Sequence, residues 1–126
     1  MNKSVIGLAV LAATLVFATG PQAHHAVASV YDLNTEVVLE GQLKDLNLRN
    51  PHSNIHVTVP NDDGTSTEWV LTTPSLQMLT RAGVSRSSIQ VGENLRVTIL
   101  PARNGNPSGF IRRLELSDRV FELDID

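Results

Sequence analysis

The chain has 126 residues, a net charge of −3 and no cysteine, so disulfides, thiolate nucleophiles and cysteine metal sites are excluded, and any metal must be held by nitrogen and oxygen. A mildly acidic balance is a poor electrostatic match for nucleic acid, which is therefore not expected as a partner. Aromatic residues make up 4% of the chain, which leaves few rings for base or sugar stacking.

Met1-Asn2-Lys3 carries one positive charge and leads into "SVIGLAVLAATLVFA", an apolar run of 15 residues. That is the length of a secretory h-region and is short for a membrane span. Gly20-Pro21 then breaks any helix. The expected location is periplasmic or secreted, with no membrane anchor after cleavage. Cleavage after Gly20 would leave Pro21 beside the scissile bond and is set aside. Cleavage after Ala28 satisfies the small-residue rule with Ala26 but discards His24 and His25. Cleavage after Ala23 suits the distance from the apolar core, although it places Pro21 three residues before the bond. It is the favoured site, giving a signal peptide over 1–23, an N-terminal tail over 24–34 and a β-barrel domain over 35–126. About 100 residues then form one domain with a single core.

Beyond the tail, apolar and polar residues alternate in short stretches. "EVVLEGQLKDLNL" reads as a long first strand with Val37, Leu39 and Leu43 on one face, and Gly41 marks a bulge or sharp coil. "NPH" turns the chain, and "SNIHVTVP" is a second strand with Ile55, Val57 and Val59 inward. "NDDG" is a hairpin turn into a third strand, "STEWVLTT". In "TTPSLQMLTRAGV" the period changes: Leu76, Leu79 and Ala82 share a helical face, Thr73 can cap, Pro74 suits the first helical position and Gly83 is the stop. After the connector "SRSSIQVGE" come a fourth strand, "NLRVTILPA", with Leu95, Val97 and Ile99 inward, and the loop "RNGNPSG". "FIRRLELSDRVFEL" is a fifth strand and its continuation. An all-β chain with one short helix between its third and fourth strands predicts a five-stranded OB-fold-like barrel.

The segments "AHHA", "NPHSNIHV", "TEWV", "TPSLQMLTRAGV", "VGENLRVT" and "PARNGNPSG...RRLEL" follow one another in an order that resembles a family of small exported bacterial proteins, the domain-of-unknown-function group numbered six-one-five-two. The resemblance covers essentially the whole chain after the targeting segment. Ala26, Leu48 and Val84 depart from it, standing where the family usually has a serine, an aromatic residue and a tryptophan. It implies export and a compact β domain and supplies no activity.

If processing exposes His24, its free amine and imidazole can chelate one metal ion, with a third nitrogen from His52 or His56, and nitrogen donors in square geometry select copper. His25 offers a related chelate through amine, amide and second-residue imidazole. His52 and His56 lie about 13 Å apart on an extended strand, so both cannot ligate one ion without a bend. The tail can reach either, spanning up to ~36 Å. His52 is preferred, since Pro51 fixes a turn in a loop, whereas His56 is expected to point to solvent.

The surface that OB folds use, on the second and third strands and the loops after the first and fourth, would present Arg49, Asn50, His52, Asn54, His56, Arg103, Asn104 and Asn106. Trp69 reads as core. Arg112 and Arg113, adjacent on a strand, point to opposite faces, and Arg113 can pair with Glu115. Asp62 and Asp63 are turn residues first. G-x-S-x-G, phosphate-loop and H-E-x-x-H motifs are absent. The expected protein is a non-enzymatic exported binding module, copper-binding through His24 or His25 and His52. The alternative is a metal-independent adaptor recognising a protein or small polar ligand on the barrel face.

Overall fold

Alternation along residues 37–47 buries Leu39 and Leu43 and leaves Glu40, Gln42 and Lys44 exposed, the period-two pattern of a half-buried strand. The structure is a computed structural model in which residues 22–49 and 53–123 are described, Gln22, Ala23 and His24 by backbone alone. Its elements are α1 (Gln22–Val30), β1 (Val37–Asn47), β2 (Asn54–Pro60), β3 (Ser66–Thr72), α2 (Leu76–Arg81), β4 (Asn94–Pro101), β5 (Ser108–Glu115) and β6 (Val120–Glu122).

β1 is shared between two neighbours: residues 37–42 pair antiparallel with β4, and residues 42–47 pair antiparallel with β2. The strand coils at the changeover, and Gly41 makes this possible. A Cβ at Gly41 would run into the Thr58 carbonyl oxygen and lie 3.0 Å from Val57 Cγ1. The bulge itself lies further on, between Leu43 and Asp45. β3 continues the meander beside β2, and a parallel pairing of Val70–Thr72 with Ser108–Phe110 closes the sheet against β5, whose other edge carries β4. The expected five-stranded mixed OB-type barrel results, with α2 between β3 and β4. Leu43, Ile55, Val57, Leu71, Val97, Ile99, Ile111 and Leu114 fill it.

Three local differences from the sequence reading have physical causes. First, the continuation of the fifth strand is a separate strand: the chain reverses after Leu116, whose N–H donates to the Arg119 carbonyl at 2.8 Å, and β6 returns along β5. Second, the cap of α2 is Ser75, whose side chain accepts from the Met78 N–H at 3.4 Å. Thr73 instead lies buried just after β3, its N–H donating to the Ser53 carbonyl at 3.0 Å. Gly83, with φ +90°, does end the helix. Third, residues 22–30 form α1, which runs through the bonds after Ala23 and after Ala28. Leu48 and Val84, where the family pattern has rings, are both buried in the core.

Candidate functional site

Strand registers lay the outward side chains of β1, β2 and β3 in rows across one face. Asn47, Asn54 and Thr72 form the row beside the loop that joins β1 to β2; Asp45, His56 and Val70 form the next; Gln42, Thr58 and Glu68 the third. The first row ends at Leu48, Arg49 and Ser53, and the loop over residues 102–107 runs beside β3, where the Pro107 carbonyl accepts from the Val70 N–H at 3.1 Å.

Glu68 organises the middle of this face. Its carboxylate takes an ion pair from Lys44 and stands 2.9 Å from His56 Nδ1. The Lys44 ammonium first, and then the His56 ring, hold the Glu68 carboxyl below its ordinary range. An ionised carboxylate only accepts, so Nδ1–H is the donor and Nε2 is left to a ligand. The His56 side chain is 29% exposed.

Hydrogen bonds centred on the fully buried Ser53 join the end of the segment after β1 to the start of β2. The Ser53 hydroxyl accepts from the Arg49 N–H at 3.0 Å and donates to the Arg49 carbonyl at 3.0 Å, while Arg86 reaches the Leu48 carbonyl at 3.3 Å. The second loop is tied to the N-terminal arm. Arg103 donates from its backbone to the Val30 carbonyl at 2.9 Å and from Nε to the Ala28 carbonyl at 3.0 Å. Tyr31 follows α1, packs its ring on Phe110 with centroids 5.8 Å apart, and donates its hydroxyl to Thr72 Oγ1 at 2.9 Å. At the far end of the face the coil of β1 opens a cleft of about 780 Å³ between Gln42, Thr58, Pro60 and Ser66 on one side and Asn94, Arg96 and Glu115 on the other.

Of the expected site residues, the structure brings Asn54 and His56 together on β2, places Arg49 exposed at the start of the first loop, and places Arg103, Asn104 and Asn106 exposed on the second. His56 faces outward as expected, but is held by Glu68. His25 is exposed on α1, and His24 lies in the same helix, its backbone nitrogen within the first turn. Asn50, Pro51 and His52 lie outside the described residues, as does the His24 side chain. Among the described residues no group of three or more His, Cys, Asp or Glu side chains could hold a metal ion. Arg113 pairs with Glu115 at 3.2 Å, as its strand position predicts. Lys44, Glu68, Thr72 and Tyr31 escaped the sequence reading. Strand alternation alone puts Glu68 on the face of His56, since both oppose the inward set of their strands.

This arrangement is a small OB-fold barrel with an exposed polar face on β1, β2 and β3. Over residues 12–112 the chain matches, and belongs to, the family described as "Family of unknown function (DUF6152)". No curated protein matches it. Two solved structures are similar to it. One is the mitochondrial single-stranded DNA binding protein Rim1 of S. cerevisiae, with a TM-score of 0.52 at 12% identity over 66% of this chain and 93% of that one. The other is the N-terminal domain of the PriB protein from Thermoanaerobacter tencongensis, with a TM-score of 0.49 at 16% identity over 68% and 99%.

Two expectations are corrected on this finding. The chain shares its fold with a protein that binds single-stranded DNA, so a mildly acidic net charge does not take nucleic acid off the list of partners. The reason is physical, since binding depends on the charge of one face rather than on the sum over the chain. The periplasmic or secreted placement is withdrawn with it, because the neighbour in fold is mitochondrial and a barrel carries no mark of compartment. Among the described residues no helix is long and apolar enough to cross a membrane.

Proposed function

We propose that the chain is a non-enzymatic binding module that holds a polar ligand across the outer face of β1, β2 and β3, with His56 at its centre. The observation that carries this reading is the Lys44–Glu68–His56 chain, which fixes the imidazole and leaves Nε2 to a ligand. Around it Gln42, Asn54, Thr58 and Thr72 supply hydrogen-bonding groups from neighbouring rows. A few converging polar groups on a rigid scaffold are what orient a bound molecule. Amide-resolved NMR with a library of small polar fragments tests it. Fragments that bind should move the amides of Gln42, Asn54, His56 and Val70, and His56→Ala should remove the effect. Fragments that converge on the outer face of β5 and β6 would contradict it.

A second reading, single-stranded nucleic acid, is favoured by the likeness to Rim1. Arg49 and Arg103 would then meet phosphates. Phe110 and Phe121 are buried and Tyr31 and Trp69 half-buried, so stacking would add little and affinity would fall steeply with salt. Anisotropy of a labelled oligothymidylate at low salt, in the parent chain and in Arg49→Ala and Arg103→Ala, decides it. Absence of binding, or binding unchanged in both variants, sinks this reading.

A further inference from the structure

The first half of β1 keeps one edge open. The Leu43 N–H donates to the Glu93 carbonyl at 2.9 Å and the Leu43 carbonyl accepts from the Gly92 N–H at 2.7 Å, both just before β4. Backbone groups alternate between the two edges of a strand, so Leu39 and Gly41 also turn theirs toward β4. Val38, Glu40 and Gln42 turn theirs the other way. Gln42 meets Thr58 there, and the ladder with β2 stops at that pair. Carried two residues further, the register would set Glu40 opposite Pro60, which has no N–H to give. Among the described residues the N–H and C=O groups of Val38 and Glu40 have no backbone partner on that edge.

Open edges are commonly blunted by shortness, proline, lysine or a bulge. β6, which also borders solvent along one edge, is three residues long. Over residues 37–41 β1 carries no proline, lysine or bulge, and Val38 stands 47% exposed beside the open edge. Glu40 follows it on the outer face, and exposed Glu36 lies just ahead of the strand. Glu40 pairs with Arg96 at 3.7 Å, both side chains being exposed, and Glu36 forms no ion pair among the described residues. A second copy of the chain fits this edge poorly. In an antiparallel pair, Val38 set on its counterpart puts Glu36 against Glu40, and Glu40 set on its counterpart puts acid on acid. The register between these puts Val38 against Glu40. A segment with a basic residue two positions either side of an apolar one satisfies every position, with opposite charges across from Glu36 and Glu40 and an apolar side chain across from Val38.

We infer that the open edge of β1 over residues 36–40 takes an extended basic segment of another protein as an added strand. The site does not depend on the ligand proposed for His56. The experiment titrates the full chain with a capped Lys-Thr-Val-Thr-Lys peptide and follows the protein amides by NMR. Saturable shifts at Glu36, Val38 and Glu40 are expected, with slower solvent exchange of the Val38 and Glu40 N–H groups. Glu36→Lys combined with Glu40→Lys, both at exposed positions, should weaken the peptide about tenfold. The same peptide N-methylated at its valine and lysines keeps its charge, loses its edge donors and should not bind. Equal binding of the methylated peptide would reduce the contact to charge alone and overturn the inference, as would an absence of shifts at these three residues. Shifts at Val38 and Glu40 that grow with protein concentration in the absence of peptide would make a second copy the occupant, and would overturn it too.

Discussion

At the loop end of the β1–β2–β3 face the fixing groups are buried. The Ser53 side chain is tied to the Arg49 backbone, and the Ser53 carbonyl is held in turn by Thr73, just after β3. At the cleft end they are exposed side chains, Glu40, Arg96 and Arg113 among them, strung in ion pairs over the sheet. The same face is thus positioned in two ways. A buried hydroxyl has no water to replace a lost partner, so the loop end depends on each bond, whereas exposed pairs trade protein for solvent at little cost. The loop end is built to hold a geometry, and the cleft end to present a chemistry.

At the cleft end, Gly41 is a point where backbone meets backbone. Gly41→Ala puts a methyl group against the Thr58 carbonyl, and backbone cannot rotate aside as a side chain can. It should cost about 3 kcal/mol in urea unfolding, the upper range for overpacking. Ser53→Ala should follow at about 2 kcal/mol, since it leaves the Arg49 N–H without its buried acceptor. Tyr31→Phe removes the bond to Thr72 and should cost about 1 kcal/mol, read chiefly as faster amide exchange along α1, because no described side chain of that helix is buried. Arg113→Gln should change stability by less than about 0.5 kcal/mol, despite two carboxylates within reach. A loss as large as that of Ser53→Ala would erase the distinction between the two ends.

A pH series sharpens the same contrast at the centre of the face. Glu68 ionises more readily in the folded chain than in the unfolded one, because Lys44 and then His56 stabilise its charge. Its contribution is therefore complete above the ordinary glutamate range and is lost as pH falls through the lower native value. Glu68→Gln should flatten the acid-side decline of stability, and an unchanged slope would show that the carboxylate is not so held.

The barrel was legible because its strands alternate cleanly and Gly83 and "NDDG" mark real stops. The reversal into β6 was not, since Ser117, Asp118 and Arg119 lie within a run whose apolar residues keep the period of a single strand. The α1 helix was hidden by its small residues and by its dependence on Tyr31 and Arg103, contacts 71 to 75 positions away in the chain for Tyr31–Ala102 and Arg103–Ala28. Two of the outward site residues, Asn54 and His56, followed from one strand's alternation. Glu68 shares their face by the same alternation, whereas Lys44 sits at the bulge between Leu43 and Asp45, where alternation along β1 breaks. Thr73 looked like a cap because it precedes Pro74, yet its hydroxyl donates to the Ser53 carbonyl at 3.2 Å and the helix starts only after Ser75.

The most direct test of the His56 arrangement is the nitrogen-15 NMR spectrum of its imidazole at a pH where the ring is neutral. The expected result is a protonated Nδ1 and an unprotonated Nε2, with the preference lost in Glu68→Gln. A ring protonated on Nε2 in the parent chain would contradict it, because the nitrogen offered to a ligand would then be a donor and Glu68 would not be orienting it.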